Sequence, residues 1–395
     1  MGHMEDALGE SMIIRSTISP SLKYGLQFLG MWPDMTYGIV NRLLFMLSIL
    51  IMQFFQYHYV FAHFKFNEMQ NLVDSLTATL DYSLTIVKLT MLWKNRRVVR
   101  EILVAMDTDW RECISVDRYL QVMTSKANIS YFCSNAMLGL NTIAAILYLL
   151  SDYALNKDKS DNITSRSFPI KLTFPFEAEE SPAYELLVLT LFLHGILNVF
   201  TVTIVNALIF TLVLHASGQI DIICEEFKTL SEEKTPYNGN FEHSIGTLIE
   251  RHNKVILFSK NLDKLLSFMA LMQVFWNTLI ICSLEIFFMI SFHNEPGFGL
   301  VKIVFAYGGI TIEIFIFCFA GEYLRLKSKS LADAAYESLW YNMSPTNGKN
   351  ILFIIMRSQK QLSLTAGGMA NLSLEAFASI MKASASYVSV LNAMY

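Results

Sequence analysis

The chain has 395 residues, 53% of them hydrophobic and 13% aromatic, and only 16% are charged. A soluble globular chain is nearer a quarter charged, so this composition, with a mean hydropathy of +0.40, belongs to a polytopic membrane protein. The formal net charge of −4 excludes bulk electrostatic attraction to nucleic acid, and no basic run interleaved with aromatics occurs.

Residues 1–38 contain no apolar core followed by a small-residue cleavage site, so no removable signal peptide is expected. Apolar segments then follow near 39–61, 70–93, 128–150, 184–215, 265–292 and 300–323, with a last one over 350–394. A helix needs about 20 apolar residues to cross roughly 30 Å of hydrocarbon. The first six segments reach that length. The last is broken by a polar, glycine-containing stretch at Leu364–Gly368, and only Met369–Met394 can serve as a seventh span. The predicted fold is therefore an all-α membrane protein with seven transmembrane helices. The chain divides into an N-terminal segment (1–38), spans one to six (39–323) with helical extensions over 216–264, a loop and the first part of helix seven (324–368), and the last helix (369–395).

Lysine and arginine set the orientation. The connection 94–127 holds Lys94, Arg96, Arg97, Arg100, Arg111, Arg118 and Lys126, and 216–264 and 324–349 are similarly basic, whereas the opposite connections are poorer. This predicts a cytoplasmic N-terminus and an extracellular C-terminus. Asn162 is then the only N-x-S/T acceptor in an outer loop, and so the candidate glycosylation site. None of Cys113, Cys133, Cys224, Cys282 and Cys318 falls in an outer loop, so no extracellular disulfide is expected.

Within 216–264, Ile245, Leu248, Ile249, Ile256 and Leu262 recur at helical spacing with Glu250, Arg251, Lys254 and Lys260 between them. That stripe predicts an amphipathic helix that extends span five and packs against a partner. Thr235–Asn240 is the turn before it.

No hydrolase, nucleotide-binding or zinc motif is present, and no histidine pair has metal-ligand spacing, so neither an enzyme nor a cofactor is indicated. Polar residues inside the spans are more informative, because each is costly in hydrocarbon unless paired or facing a cavity. Span two carries Asp74, Asp81 and Lys88 on one face; Asn135 and Asn141 lie in span three, His194, Asn198 and Asn206 in span four, Glu285 in span five and Glu313 in span six. With the aromatics Tyr82, Tyr148, Phe192, Phe305 and Tyr307, and with Leu138, they predict a largely apolar pocket for a small volatile ligand. Ordinary interhelical packing is the competing explanation for each of them.

A seven-span chain also suggests a G-protein-coupled receptor. That reading requires the opposite orientation, and Asp117-Arg118-Tyr119 stands before span three rather than at its inner end. A transporter would need repeats or broken midplane helices, and the halves show no internal similarity.

The motifs are more specific. Trp32-Pro33 precedes span one, and Leu248-Ile249-Glu250-Arg251-His252-Asn253 lies in the long connection. Near the end come Tyr336-Glu337, Trp340-Tyr341, Arg357-Ser358-Gln359, Leu364-Thr365-Ala366-Gly367, Leu372-Ser373-Leu374-Glu375-x-Phe377, Lys382-x-Ser384-x-Ser386-Tyr387 and Val390-Leu391. On these residues the chain resembles the insect odorant receptors. Ser386-Tyr387 without a following Gln-Phe pair favours that branch over the sister gustatory receptors, a related class of channel. The resemblance implies a ligand-gated, non-selective cation channel in the plasma membrane of olfactory sensory neurons. It implies a heterotetramer with a co-receptor subunit, a pore lined by the last helix of each subunit, and an odorant pocket among spans two, three, four and six. It places the gate at Val390 and Met394, with Ala393 where the co-receptor has a glutamine.

Overall fold

The computed structural model describes residues 16–32, 38–64, 69–160, 168–174, 178, 180–232, 239–294 and 298–394. Ten α-helices occur among them: α1 (Pro20–Phe28), α2 (Gly38–Ala62), α3 (Met69–Lys94), α4 (Arg96–Ile114), α5 (Asp117–Ser160), α6 (Ala183–Glu232), α7 (Gly239–Asn294), α8 (Phe298–Glu337), α9 (Pro345–Ser358) and α10 (Leu374–Met394). Asn162, the turn residues 233–238 and Pro33 lie outside the described residues.

Five of these helices, α2, α5, α6, α7 and α8, contain stretches long and apolar enough to cross a membrane. α3 and α10 are more polar, carrying Asp74, Asp81 and Lys88 in one and Glu375 and Lys382 in the other. Length separates membrane from non-membrane portions. At about 1.5 Å per residue, the 50 residues of α6 and the 56 of α7 run roughly 75–85 Å, more than twice a hydrocarbon core. α5, α6, α7 and α8 therefore share a second bundle beyond the membrane.

α6 is the central rod. Its apolar window is 72% buried, against 17% for α5, which turns most of its surface outward. α1, α3, α5, α7 and α8 all pack on it. Residues 94–127, expected only to connect spans two and three, are largely helical: α4 and the first turns of α5 occupy them. Val99, Ile102, Leu103, Met106, Trp110 and Cys113 form a buried stripe along α4, and burying that stripe drives helix formation. Similarly, 324–337 continues α8 instead of forming a loop, held by Lys327 donating to Asp221 on α6 at 2.7 Å. The stripe expected over 245–262 is present: Ile245, Leu248, Ile256 and Leu262 are buried, and Ile249 packs against the same core.

Asp117-Arg118-Tyr119 is part of this second bundle. Arg118 hydrogen-bonds Thr229, and the Tyr119 hydroxyl donates to Glu226 at 2.6 Å. The Arg251 guanidinium lies 4.9 Å from the centre of the Tyr119 ring.

The segment before α2 is not merely a tail. Ser19 caps α1 and Pro20 opens it. Ahead of the cap, fully buried Thr17 sits in a polar chain: Trp110 Nε1 donates to Thr17 Oγ1 at 2.9 Å, Thr17 Oγ1 is 3.1 Å from His215 Nδ1, and His215 Nε2 is 3.0 Å from Asp109 Oδ2. Thr17→Val keeps the shape and removes the hydroxyl, leaving buried ring nitrogens without a partner. It is expected to cost about 1–3 kcal/mol, read as a lower melting temperature of the detergent-solubilised protein; an unchanged melt would show that the chain of hydrogen bonds contributes nothing net.

The break before the last helix is a small hairpin, Thr365–Ala366 (β1) antiparallel to Ala370–Asn371 (β2). Gly367 and Gly368 have φ of 62° and 71°, a conformation costly for other residues. The hairpin is pinned to α7. Asp263 Oδ1 accepts from the Thr365 amide at 2.7 Å and from its hydroxyl at 2.9 Å, and the Gly367 amide donates to the Ser267 carbonyl at 2.8 Å. Ser373 then accepts from the Ala376 amide at 3.1 Å and starts α10.

Candidate functional site

Four helices surround an interior cavity of about 180 Å³. α3 contributes Asp74, Ser75, Thr77, Ala78, Asp81 and Tyr82, at the three- and four-residue spacing that holds one helix face. Asn141, Ala144, Ala145, Tyr148 and Leu149 come from α5, and Gly195, Asn198, Val199, Val202 and Thr203 from α6. α8 supplies Phe305, Ala306, Gly309, Ile310 and Glu313, and residues 169–171 complete the wall.

Of the residues singled out from sequence, the structure brings Tyr82, Asn141, Tyr148 and Phe305 into this wall, together with the polar residues Asp74, Asp81, Asn198 and Glu313. Asn135, Leu138, Phe192, His194 and Tyr307 do not line it. His194 stands behind Tyr82, its ring stacked at 5.6 Å and its Nδ1 3.3 Å from the Tyr82 hydroxyl, so it supports a wall residue. Asn135 is nearly two turns before Asn141 on α5 and accepts from Ser21 Oγ at 2.6 Å. Leu138 and Phe192, each a turn from the nearest wall residue, pack against the main apolar core. Tyr307 is two residues from Phe305, about 200° around a helix, and packs in the separate apolar cluster of α7 and α8.

The polar end holds groups that the sequence marks as polar residues in apolar spans. Asp81 Oδ2 accepts from Asn198 Nδ2 at 2.7 Å. Glu313 Oε2 accepts from Gln273 Nε2 at 2.6 Å and from Lys88 Nζ at 3.3 Å, and the Lys88 side chain is 0% exposed. Lys88 is seven residues beyond Asp81 on the same face, and thereby reaches the next helix from just behind the cavity. Asn141 Nδ2 donates to Thr203 at 2.9 Å and ties α5 to α6. Spacing showed that these groups share faces. Which of them meet across helices depends on packing that the apolar pattern does not encode.

The wall is mechanically joined to the last helix. Ile310 lines the cavity and also belongs to the cluster of Ile280, Ile281, Leu284, Ile314 and Cys318, against which Phe377 and Ile380 of α10 pack. Phe315 meets Phe377 edge-on at 5.6 Å. On the opposite side of α10, Glu375, Ser379, Lys382 and Ser386 are exposed. Val390, Ala393 and Met394 lie on this helix, in turns whose side chains are outside the described residues.

The family model for the 7tm Odorant receptor matches residues 68–385. Odorant receptor 10 of Aedes albopictus is 28% identical over 238 residues, 58% of this chain and 61% of that protein. Odorant receptor 22c of Drosophila melanogaster is 24% identical over 233 residues, 57% of each; the chain thus spans about three fifths of these two relatives. Odorant receptor 24a of Drosophila melanogaster is 22% identical over 399 residues, 94% of this chain and 95% of that protein. Among solved structures, the insect olfactory receptor OR5 from Machilis hrabei has a similar fold, with a TM-score of 0.74 at 16% identity over 94% of this chain and 96% of that one. Its complex with eugenol gives 0.77 at 15% identity, over 95% and 98%. With most of its length matched by one family model and its helical fold shared along nearly the whole chain, this multi-pass membrane protein belongs to the 7tm odorant receptor family.

Proposed function

We propose that this chain is the odorant-binding subunit of a ligand-gated, non-selective cation channel. It works in the plasma membrane of olfactory sensory neurons, in a heterotetramer with a co-receptor, with its N-terminus cytoplasmic and its C-terminus outside. A volatile occupies the cavity among α3, α5, α6 and α8, as eugenol binding by the Machilis hrabei receptor suggests for the shared fold. Occupancy favours one arrangement of α8 and, through Ile310, Phe315 and Phe377, one arrangement of α10. Such a shift is no larger than the difference in the ligand's affinity for the two states.

The observation that carries the channel reading is the two-faced last helix. Phe377 and Ile380 face the bundle, while Glu375, Ser379, Lys382 and Ser386 are exposed on the single chain. A polar helix face at membrane depth needs a partner or water, and a shared lumen supplies both. Val390 and Met394, a turn apart, form the hydrophobic constriction that gates it by dewetting, with Ala393 beside them.

In cells expressing the co-receptor as well, Val390→Ser and Met394→Ser are each expected to raise resting cation current severalfold by wetting that constriction. Resting and evoked currents equal to those of the native chain in both variants would overturn the gate assignment.

A further inference from the structure

The cavity is unevenly supplied with hydrogen-bonding groups. Most of its donors are engaged internally: Ser75 and Thr77 bond their own helix carbonyls at 2.8 and 3.0 Å, Thr203 does the same at 2.8 Å, Asn141 donates to Thr203, and the Tyr82 hydroxyl is 3.3 Å from His194 Nδ1. Asp74, Tyr148 and Lys171 have contacts of their own. The acceptors are in surplus. Asp81 uses Oδ2 for Asn198, and Glu313 takes both of its donors on Oε2. Among the described residues neither Asp81 Oδ1 nor Glu313 Oε1 receives a side-chain hydrogen bond. Asn198, only 2% exposed, lines the same cavity with its Oδ1 unpartnered.

The charges point the same way. Three carboxylates, Asp74, Asp81 and Glu313, line the cavity, against one ammonium in its wall, Lys171, and one buried behind it, Lys88, which pairs with Glu313. A hydrogen-bond donor would satisfy the open oxygens. A ligand offering only acceptors, such as an ether, an ester or a carboxylate, would bring lone pairs against them and leave buried acceptors unmet. Size sets the rest. An apolar cavity of about 150 Å³ accepts a benzene ring, so 180 Å³ fits a ring with a short polar substituent.

We infer that the cavity selects small volatiles with a hydrogen-bond-donating head, a hydroxyl or an N–H, seated at Asp81 and Glu313, and an apolar body against Leu149, Val202 and Ile310. The inference rests on the odorant-binding reading and adds the ligand class to it.

The test uses the purified full chain in detergent and benzyl alcohol, benzylamine, benzyl methyl ether and toluene, which share one ring. Binding is read from the concentration that gives a half-maximal rise in melting temperature. The alcohol and the amine are expected to bind about tenfold tighter than the ether and toluene, the scale of one well-made hydrogen bond. Asp81→Leu is expected to shrink that gap to roughly threefold or less, with toluene binding retained as proof of an intact cavity. Should Asp81→Leu fail to fold, Asp81→Asn keeps an acceptor without the charge, and is expected to lose the amine's advantage while the alcohol keeps its own. Equal binding of all four to the native chain, or an undiminished preference in both variants, overturns the donor selection and leaves the volatile-binding reading standing. Failure of all four to shift the melt overturns both.

Discussion

Lys88→Met is expected to destabilise the protein by about 3–5 kcal/mol, the usual penalty for removing one partner of a buried ion pair. The Lys88 side chain is 0% exposed and Glu313 is 13% exposed, with 3.3 Å between Nζ and Oε2. Methionine has a similar length and fills the space, so the loss is electrostatic. It leaves the Glu313 carboxylate with Gln273 as its remaining side-chain donor, in a setting where an uncompensated charge is costly. Typical stabilities are about 5–15 kcal/mol, so the variant should melt far below the native protein and reach the cell surface in reduced amount. Adding Glu313→Gln to Lys88→Met removes the stranded charge while leaving an amide for Gln273, and should recover most of the loss. A single variant that melts like the native chain would mean that the pair does not hold α3 to α8.

Gly321→Val is the second large effect. A Cβ built on Gly321 would lie 2.4 Å from the Leu372 carbonyl oxygen and 2.6 Å from the Leu372 Cβ. These belong to the backbone and the root of a side chain, so no rotamer change relieves the clash. Leu372 is 3% exposed and its amide is bonded to the Leu364 carbonyl at 2.9 Å, so the hairpin has little room to retreat. Overpacking costs about 1–3 kcal/mol, with valine at or above the top of that range. The contact separates the start of α10 from α8, so evoked current should fall further than surface expression does. Gly308 has open space around it, and Gly308→Ala should be neutral or stabilise by about 0.5–1 kcal/mol. If Gly321→Val melts and conducts like Gly308→Ala, the close approach is not structural.

Much of the fold was legible because membrane burial writes long apolar runs. α2, α5, α6, α7 and α8 follow directly from them, and so does α3, whose apolar segment 70–93 is long enough despite Asp74, Asp81 and Lys88. α10 follows less directly, since Glu375 and Lys382 lower its hydropathy; it was identified through its motifs. α4 was legible too, with Val99, Ile102, Leu103, Met106 and Trp110 at helical spacing, but a positive-charge count over 94–127 says nothing of periodicity. The cavity was half legible. Tyr82 and Asn141 stand out in apolar spans and line it. His194 stands out equally and lies behind the wall, because the rotation of one helix against another is set by packing across the bundle. The polar end needed both carboxylates to be paired across helices, and sequence spacing works only within one helix.

Pinning the hairpin to Asp263 and Ser267 gives the last helix a fulcrum at its root. A rod held there converts rotation into travel in proportion to distance. From Ser373 at that root to Val390 the helix rises roughly 25 Å, so each degree of tilt carries the far turns sideways by roughly 0.4 Å. Leverage alone would then make the tip the most displaced part of the subunit, and a substitution that stiffens the root should be felt most where it touches nothing.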